Sequence, residues 1–265
     1  MFPLAGGRIL PTAPGGRPVE WAAIGRSGGV SAAPYDSLNL AGYVGDDAGA
    51  VAVNRGRVAA LLGLPPEAMV VMDSVHGADV ALVDAPGVYP GVDALVTQRP
   101  DLALTALGAD CVTIGIAGLD GRTVAAVHCG WRGLAGDVLG SAFAAIRDLG
   151  TDVRQVILGP AVCGPCYPVP AARAEEVLAR TSAAVGSAAV VTARDGQPGI
   201  DVRAGLRVRC AELGLPASAV VLAGGCTVED AGLFSYRRDG VTGRQGLAIC
   251  THGPVAVTPS AVPQF

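Results

Sequence analysis

The chain has 265 residues, of which 51% are hydrophobic and 16% charged, and its formal net charge is −4. It is long enough to bury a substantial core in one α/β domain and too apolar for intrinsic disorder. It is also too acidic for an electrostatic footprint on nucleic acid or an anionic membrane. The mean hydropathy of +0.46 comes from scattered Ala, Val and Gly, and no run approaches the roughly 20 apolar residues of a spanning helix.

Residues 1–18 and 253–265 are expected to be loose ends of a single domain spanning 1–265, because Pro and Gly crowd 11–18 and three prolines fall in the tail. The opening Met-Phe-Pro-Leu-Ala-Gly-Gly-Arg lacks a basic segment leading into an apolar one. No secretory signal is expected from it, and the chain is expected to be cytoplasmic. Asp46-Asp47 ahead of residues 48–62, then Gly63 and Leu64-Pro65-Pro66, predicts a capped helix with a firm stop. Residues 70–72 and 80–83 are expected as strands on either side of a turn that carries His76. Three apolar runs at 102–107, 112–117 and 123–128 have strand length and β-branched residues. A helix is predicted over 133–149, a strand over 156–159, helices over 171–184 and 202–213, and a last strand over 245–250. Single helices mixed with consecutive strands indicate an α/β (α+β) domain with a mixed sheet flanked by helices.

All 19 basic residues are arginine, which removes Schiff-base and pyridoxal chemistry and the P-loop lysine. Any phosphate site must use Arg forks, backbone amides or a helix N-terminus. The seven cysteines, an odd count, suit a reducing compartment. Cys163-Gly-Pro-Cys166 has a redox spacing, but Tyr167-Pro168-Val169-Pro170 follows and resists an immediate helix. With no second CxxC to complete a four-thiolate site, the pair reads as two turn thiols. Cys210, Cys226 and Cys250 read as core or subsurface residues.

Only three histidines occur. His252 lies beside the tail and reads as a surface residue. His76 sits in a turn between predicted strands, Cys111 at the junction of two apolar strands, and His128 at a strand end before a helix. Strand ends converge at a sheet edge, where ligand sites form. Two imidazoles and a thiolate would match a catalytic zinc with an open fourth position. The separations of 35 and 17 positions are no local knuckle, so by themselves they are a weak signal and favour two turn histidines and a buried thiol.

A series of motifs in order narrows this. Asn39-Leu, Val44-Gly-Asp-Asp, Asn54-Arg, Val75-His-Gly, Asp93-Ala-Leu-Val-Thr, Ala109-Asp-Cys, His128-Cys-Gly-Trp-Arg-Gly, Gly159-Pro, Cys226-Thr, Phe234-Ser-Tyr-Arg-Arg-Asp-Gly and Thr242-Gly-Arg together resemble the YfiH-like family. That family is labelled multicopper polyphenol oxidoreductase or laccase-domain, and is also read as zinc-dependent purine nucleoside phosphorylases. The resemblance runs from about residue 38 to 249. It implies His76, Cys111 and His128 as zinc ligands, phosphorolysis of adenosine, inosine and methylthioadenosine, and deamination of adenosine. Two departures are Ser74, where the family has Gln, and Cys129, where it has Ala.

On this reading Cys111 is a metal-held thiolate, and Arg132, four residues past a ligand, is the first choice for phosphate. Arg55, Arg237 and Arg238 are further candidates, Asn39 for the nucleoside, and Asp110 for orienting an imidazole. The partners implied are a small nucleoside and phosphate, with the chain as monomer or weak homo-oligomer. Two rival activities use the same residues: a metal-free Cys111–His128 amidase editing a peptidoglycan precursor, and a copper-dependent polyphenol oxidase (laccase). Three histidines cannot assemble a conventional multicopper centre.

Overall fold

The computed structural model describes residues 3–11 and 15–253. Strands β1 (Ala5–Ile9) and β2 (Val19–Ala23) precede helix α1 (Ala48–Leu61), followed by β3 (Met69–Asp73), β4 (Val80–Leu82), β5 (Gly87–Pro90) and β6 (Ala94–Thr97). Then come β7 (Ala103–Gly108), β8 (Val112–Gly118), β9 (Val124–Cys129), α2 (Trp131–Ala135), α3 (Val138–Asp148) and β10 (Val153–Leu158). The rest is α4 (Ala171–Arg180), α5 (Ala183–Ala189), β11 (Val190–Thr192), β12 (Pro198–Ile200), α6 (Val202–Glu212), β13 (Val220–Leu222), α7 (Tyr236–Asp239) and β14 (Gln245–Thr251).

The fold class is the α/β one expected, but the mixed sheet is two mixed sheets. One runs β1-β2-β14-β7-β3-β5 and the other β13-β10-β8-β9-β6-β4. Side-chain alternation along the central strands explains the stacking. On β7, Leu104 and Ala106 face the other sheet, while Ala103 and Leu107 join a second core with Val58 and Leu62 beside α1. On β9, Val124 and Ala126 enter the inter-sheet core, while Ala125 and Val127 pack with Phe143 and Ile146 of α3. Strands apolar on both faces are what a sheet covered on both sides requires. Each fully buried Ile or Leu contributes roughly 1.5–3 kcal/mol. At Gly115 a Cβ would lie 2.5 Å from Leu247 of the facing sheet, so that position admits only glycine without a shift.

Three expectations are corrected. Residues 1–18 are not wholly loose, because β1 pairs antiparallel with β2 from Ala5–Ala23 to Ile9–Val19. Gly6, Gly7 and Arg8 are exposed, so the backbone ladder holds this edge strand and no apolar alternation announces it. The loose tail expected over 253–265 lies, from residue 254 onward, outside the described residues. The helix over 133–149 is two helices, broken at Asp137, whose φ is +58°. Its carboxylate accepts from Gly140 N at 3.2 Å and takes both arms of Arg209 at 2.9 and 2.7 Å. The helix over 171–184 ends at Arg180, and Ser182 caps α5 by accepting from Val185 N at 3.1 Å.

The sheet-to-sheet connections position the site. The β3–β4 and β7–β8 links both cross from the first sheet to the second, and they carry His76 and Cys111. β9 lies next to β8, with His128 paired to Thr113.

Candidate metal centre

The coordinating atoms of His76, Cys111 and His128 all lie within 4.8 Å of one another. The two imidazoles meet edge to face, with centroids 4.8 Å apart and planes at 89°. Close approach is possible because residue 130 is glycine: a Cβ there would come within 2.9 Å of the Cys111 Sγ and 3.3 Å of the His76 ring.

One carboxylate builds two corners of this triangle. Asp93, fully buried ahead of β6, accepts from His76 N and His128 Nδ1 at 3.0 and 2.8 Å through Oδ1. Its Oδ2 accepts from Gly77 N at 2.6 Å and Val75 N at 3.2 Å. These bonds hold the 75–77 turn in place while His76 adopts a left-handed φ of +63°. With Nδ1 of His128 directed at Asp93, Nε2 is the nitrogen left for a metal. Burial pushes the Asp93 carboxyl up, but the His128 ring and the Gly77 amide outweigh it and hold the group below its ordinary range.

Charge is paired inside the cluster. Burial works against ionisation of Cys111, yet His128 and then His76 bring its thiol down to about 6. Burial likewise lowers His128, and the Cys111 thiolate with Asp93 raises it to about 9. The pair favours thiolate and imidazolium, a donor set that a metal cation can take over by displacing the proton.

The cluster opens on a cavity of about 620 Å³ walled by Tyr43, Tyr167, Tyr236, Arg237 and Arg244. Arg237 stacks on Tyr167 with its guanidinium carbon 4.2 Å from the ring centre. Arg244 donates to the Thr242 and Gly243 carbonyls at 2.9 and 3.0 Å. A family model described as multi-copper polyphenol oxidoreductase laccase matches residues 20–252. The chain belongs to this family.

As a member of the multi-copper polyphenol oxidoreductase laccase family, the chain has relatives with a different label. It is 47% identical to a purine nucleoside phosphorylase of Streptomyces coelicolor, covering 83% of this chain and 90% of that one. A Mycobacterium tuberculosis protein of the same name is 45% identical, over 83% and 86% of the two chains. Among solved structures, YfiH of Bacillus licheniformis superposes with a TM-score of 0.82 at 26% identity, covering 92% of this chain and 98% of that one. YlmD of Geobacillus stearothermophilus gives 0.79 at 30% identity, over 91% and 94%.

Not every residue expected at the site reaches it. Arg237 lines the cavity. Arg132 is exposed and lies over Trp131, 5.2 Å from the ring centre. Arg55 donates to the Leu40 carbonyl at 2.9 Å and lines a separate hollow against α1. Arg238 is spent on the carbonyls of Thr227, Asp230 and Leu233 at 2.8, 3.0 and 2.7 Å. Asn39 is buried, its amide bonded to the Ala41 backbone, Asp46 and Arg244 N. It shapes the loop behind the cavity and presents nothing to it.

Asp110 orients no imidazole. Its carboxylate accepts from Thr227 Oγ1, Ser235 Oγ and Arg237 N at 2.6, 2.7 and 2.7 Å, tying the 226–237 segment to the Cys111 turn. The imidazole role belongs to Asp93. Asp93 and Arg244 both lay within motifs noted in the sequence, and their place in those motifs was the available signal. His252 sits away from the cluster, 3.2 Å from Glu20. No helix among the described residues is long and apolar enough to cross a membrane.

Proposed function

We propose that this chain is a zinc-dependent purine nucleoside phosphorylase acting on adenosine, inosine and methylthioadenosine, with adenosine deamination at the same site. The observation that carries this reading is the three-ligand cluster opening on a cavity with two arginines and three tyrosines. Two imidazoles and one thiolate fit zinc, and a three-ligand set facing a cavity leaves a coordination position for water or substrate. When bound, zinc would polarise a substrate oxygen or lower the pKa of a water.

The protein's own groups supply the rest. Arg237 and Arg244 grip phosphate through charge-assisted hydrogen bonds. Tyr43, Tyr167 and Tyr236 offer flat faces for the purine. In phosphorolysis a phosphate oxygen bonds to ribose C1′ as the glycosidic bond breaks, and the electron pair leaves with the purine. Holding both reactants at one wall of the cavity replaces a bimolecular encounter by an oriented one. Asp93 keeps His128 in the tautomer with Nε2 free.

Incubating zinc-loaded protein with adenosine, with and without phosphate, tests this. Adenine formed only with phosphate supports phosphorolysis, and inosine supports deamination. Absence of both products sinks the assignment. The thiolate–imidazolium character of Cys111 and His128 favours a second reading, a Cys–His amidase acting on a peptidoglycan precursor. Metal-free protein that hydrolyses such an amide would select it. Copper suits the same ligands, so diphenol oxidation by copper-loaded and zinc-loaded protein compares the polyphenol oxidase reading.

A further inference from the structure

A second cluster of metal-ligating side chains lies outside the cavity. Cys163, Cys166, Cys226 and Glu229 place one ligand atom each within 4.8 Å of the others. Their spacing is paired: Cys163-Gly-Pro-Cys166 and Cys226-Thr-Val-Glu229 each leave two residues between donors. Two such turns facing each other are how structural zinc sites are assembled, with four protein ligands and no open position. The absence of a second CxxC counted against a metal at Cys163 and Cys166, but a CxxE turn supplies the missing half.

The backbone holds the two turns side by side. Ala161 and Cys226 form a parallel bridge, with Thr227 N donating to Ala161 O at 3.2 Å and Ala161 N to Gly225 O at 3.3 Å. Cys163 N donates to the Cys226 Sγ at 3.3 Å, and the Cys166 Sγ lies 3.6 Å from the Glu229 carboxylate. All three thiols are free of disulfide. Arg194 pairs with Glu229. Three thiolates and a carboxylate leave a bound divalent ion with net negative charge, and an adjacent guanidinium offsets part of it.

We propose that Cys163, Cys166, Cys226 and Glu229 bind a second, structural zinc ion. The set is borderline-soft and closed, which suits zinc, whereas iron–sulfur clusters ordinarily take four thiolates. The ion would brace the catalytic cavity from behind. Tyr167 follows Cys166 directly and forms part of the cavity wall, while Thr227 follows Cys226 and donates to Asp110, the neighbour of Cys111. The Cys226 turn thus reaches Cys111 through Thr227 and Asp110, although the second site does not depend on what reaction the first supports.

Metal content by elemental analysis, in protein purified under reductant, tests the proposal directly. The wild-type chain is expected to carry about two zinc ions, in keeping with one closed and one open site. His76→Ala/His128→Ala is expected to keep one equivalent, and Cys163→Ser/Cys166→Ser to lose one while retaining the other. Should the cysteine variant fail to fold, cobalt(II) titration of the chelator-stripped histidine variant gives an independent reading. A strong thiolate-to-cobalt absorption band saturating at one equivalent, displaced by zinc, is expected. A folded histidine variant with neither zinc nor that band overturns the proposal. So does a metal-free Cys163–Cys166 disulfide in protein purified without reductant.

Discussion

The two donor clusters have thiolate in common, one with two imidazoles and the other with a carboxylate, and they differ in where their last position points. His76, Cys111 and His128 come from strand ends and sheet crossings, and they face a cavity with their fourth side free. Cys163, Cys166, Cys226 and Glu229 come from paired turns and close on themselves near the surface. A buried carboxylate, Asp93, orients the first from beneath, and an exposed guanidinium, Arg194, balances the second from outside. An open triangle leaves room for reacting atoms, whereas a closed tetrad holds chain segments together.

The largest effect that sharpens the contrast is in thiol chemistry. In chelator-stripped protein at pH 7, Cys111, with its thiol near 6, is expected to react with iodoacetamide about 100-fold or more faster than Cys210 or Cys250. Burial pushes those two thiols up to about 12. Because the Cys111 value is depressed, its reactivity is present above pH 6 and falls as pH drops through that value. Zinc should protect it. Mass-spectrometric mapping of the alkylated cysteines checks the order, and equal labelling of all three would contradict the paired charge at the open site.

Next is Asp93→Asn. The amide keeps an acceptor but loses the charge that steadies the His128 imidazole, so metal affinity at the open site is expected to fall about 10–100-fold. The second site should be unaffected, which competition with a chromophoric chelator resolves. A parallel loss at both sites would mean that the change acts through folding. The smallest effects separate the arginines. Arg244→Ala is expected to raise KM for phosphate about 10-fold, the scale of one charge-assisted hydrogen bond. Arg132→Ala, which loses only an exposed contact with Trp131, should change it less than about twofold. Steady-state kinetics at varied phosphate distinguish them, and a reversed order would return Arg132 to the site.

Much of this was legible beforehand. Strong apolar runs placed β7, β8 and β9 within a residue or two, and Asp47 with Gly63 bracketed α1. The scarcity of histidine pointed at His76 and His128. The edge strand β1 was missed because its exposed residues carry no alternation, and the break at Asp137 was missed because a left-handed residue bonded to Arg209 is a tertiary arrangement. Arg132 was favoured for its nearness in sequence to His128, yet at the start of α2 it is exposed over the Trp131 ring and is not among the residues that line the cavity.

The residue sequence by itself determined which chemistry was available: two candidate imidazole ligands with one thiolate, arginine as the only cationic side chain apart from histidine, and strands apolar on both faces. Those are properties of composition and local order. Tertiary structure decided that one apolar set becomes two stacked sheets, that Asp93 serves both histidine segments, and that Cys226 and Glu229 meet Cys163 and Cys166. Each of these depends on segments far apart in the chain meeting through packing and backbone pairing, and residue spacing carries no record of that meeting.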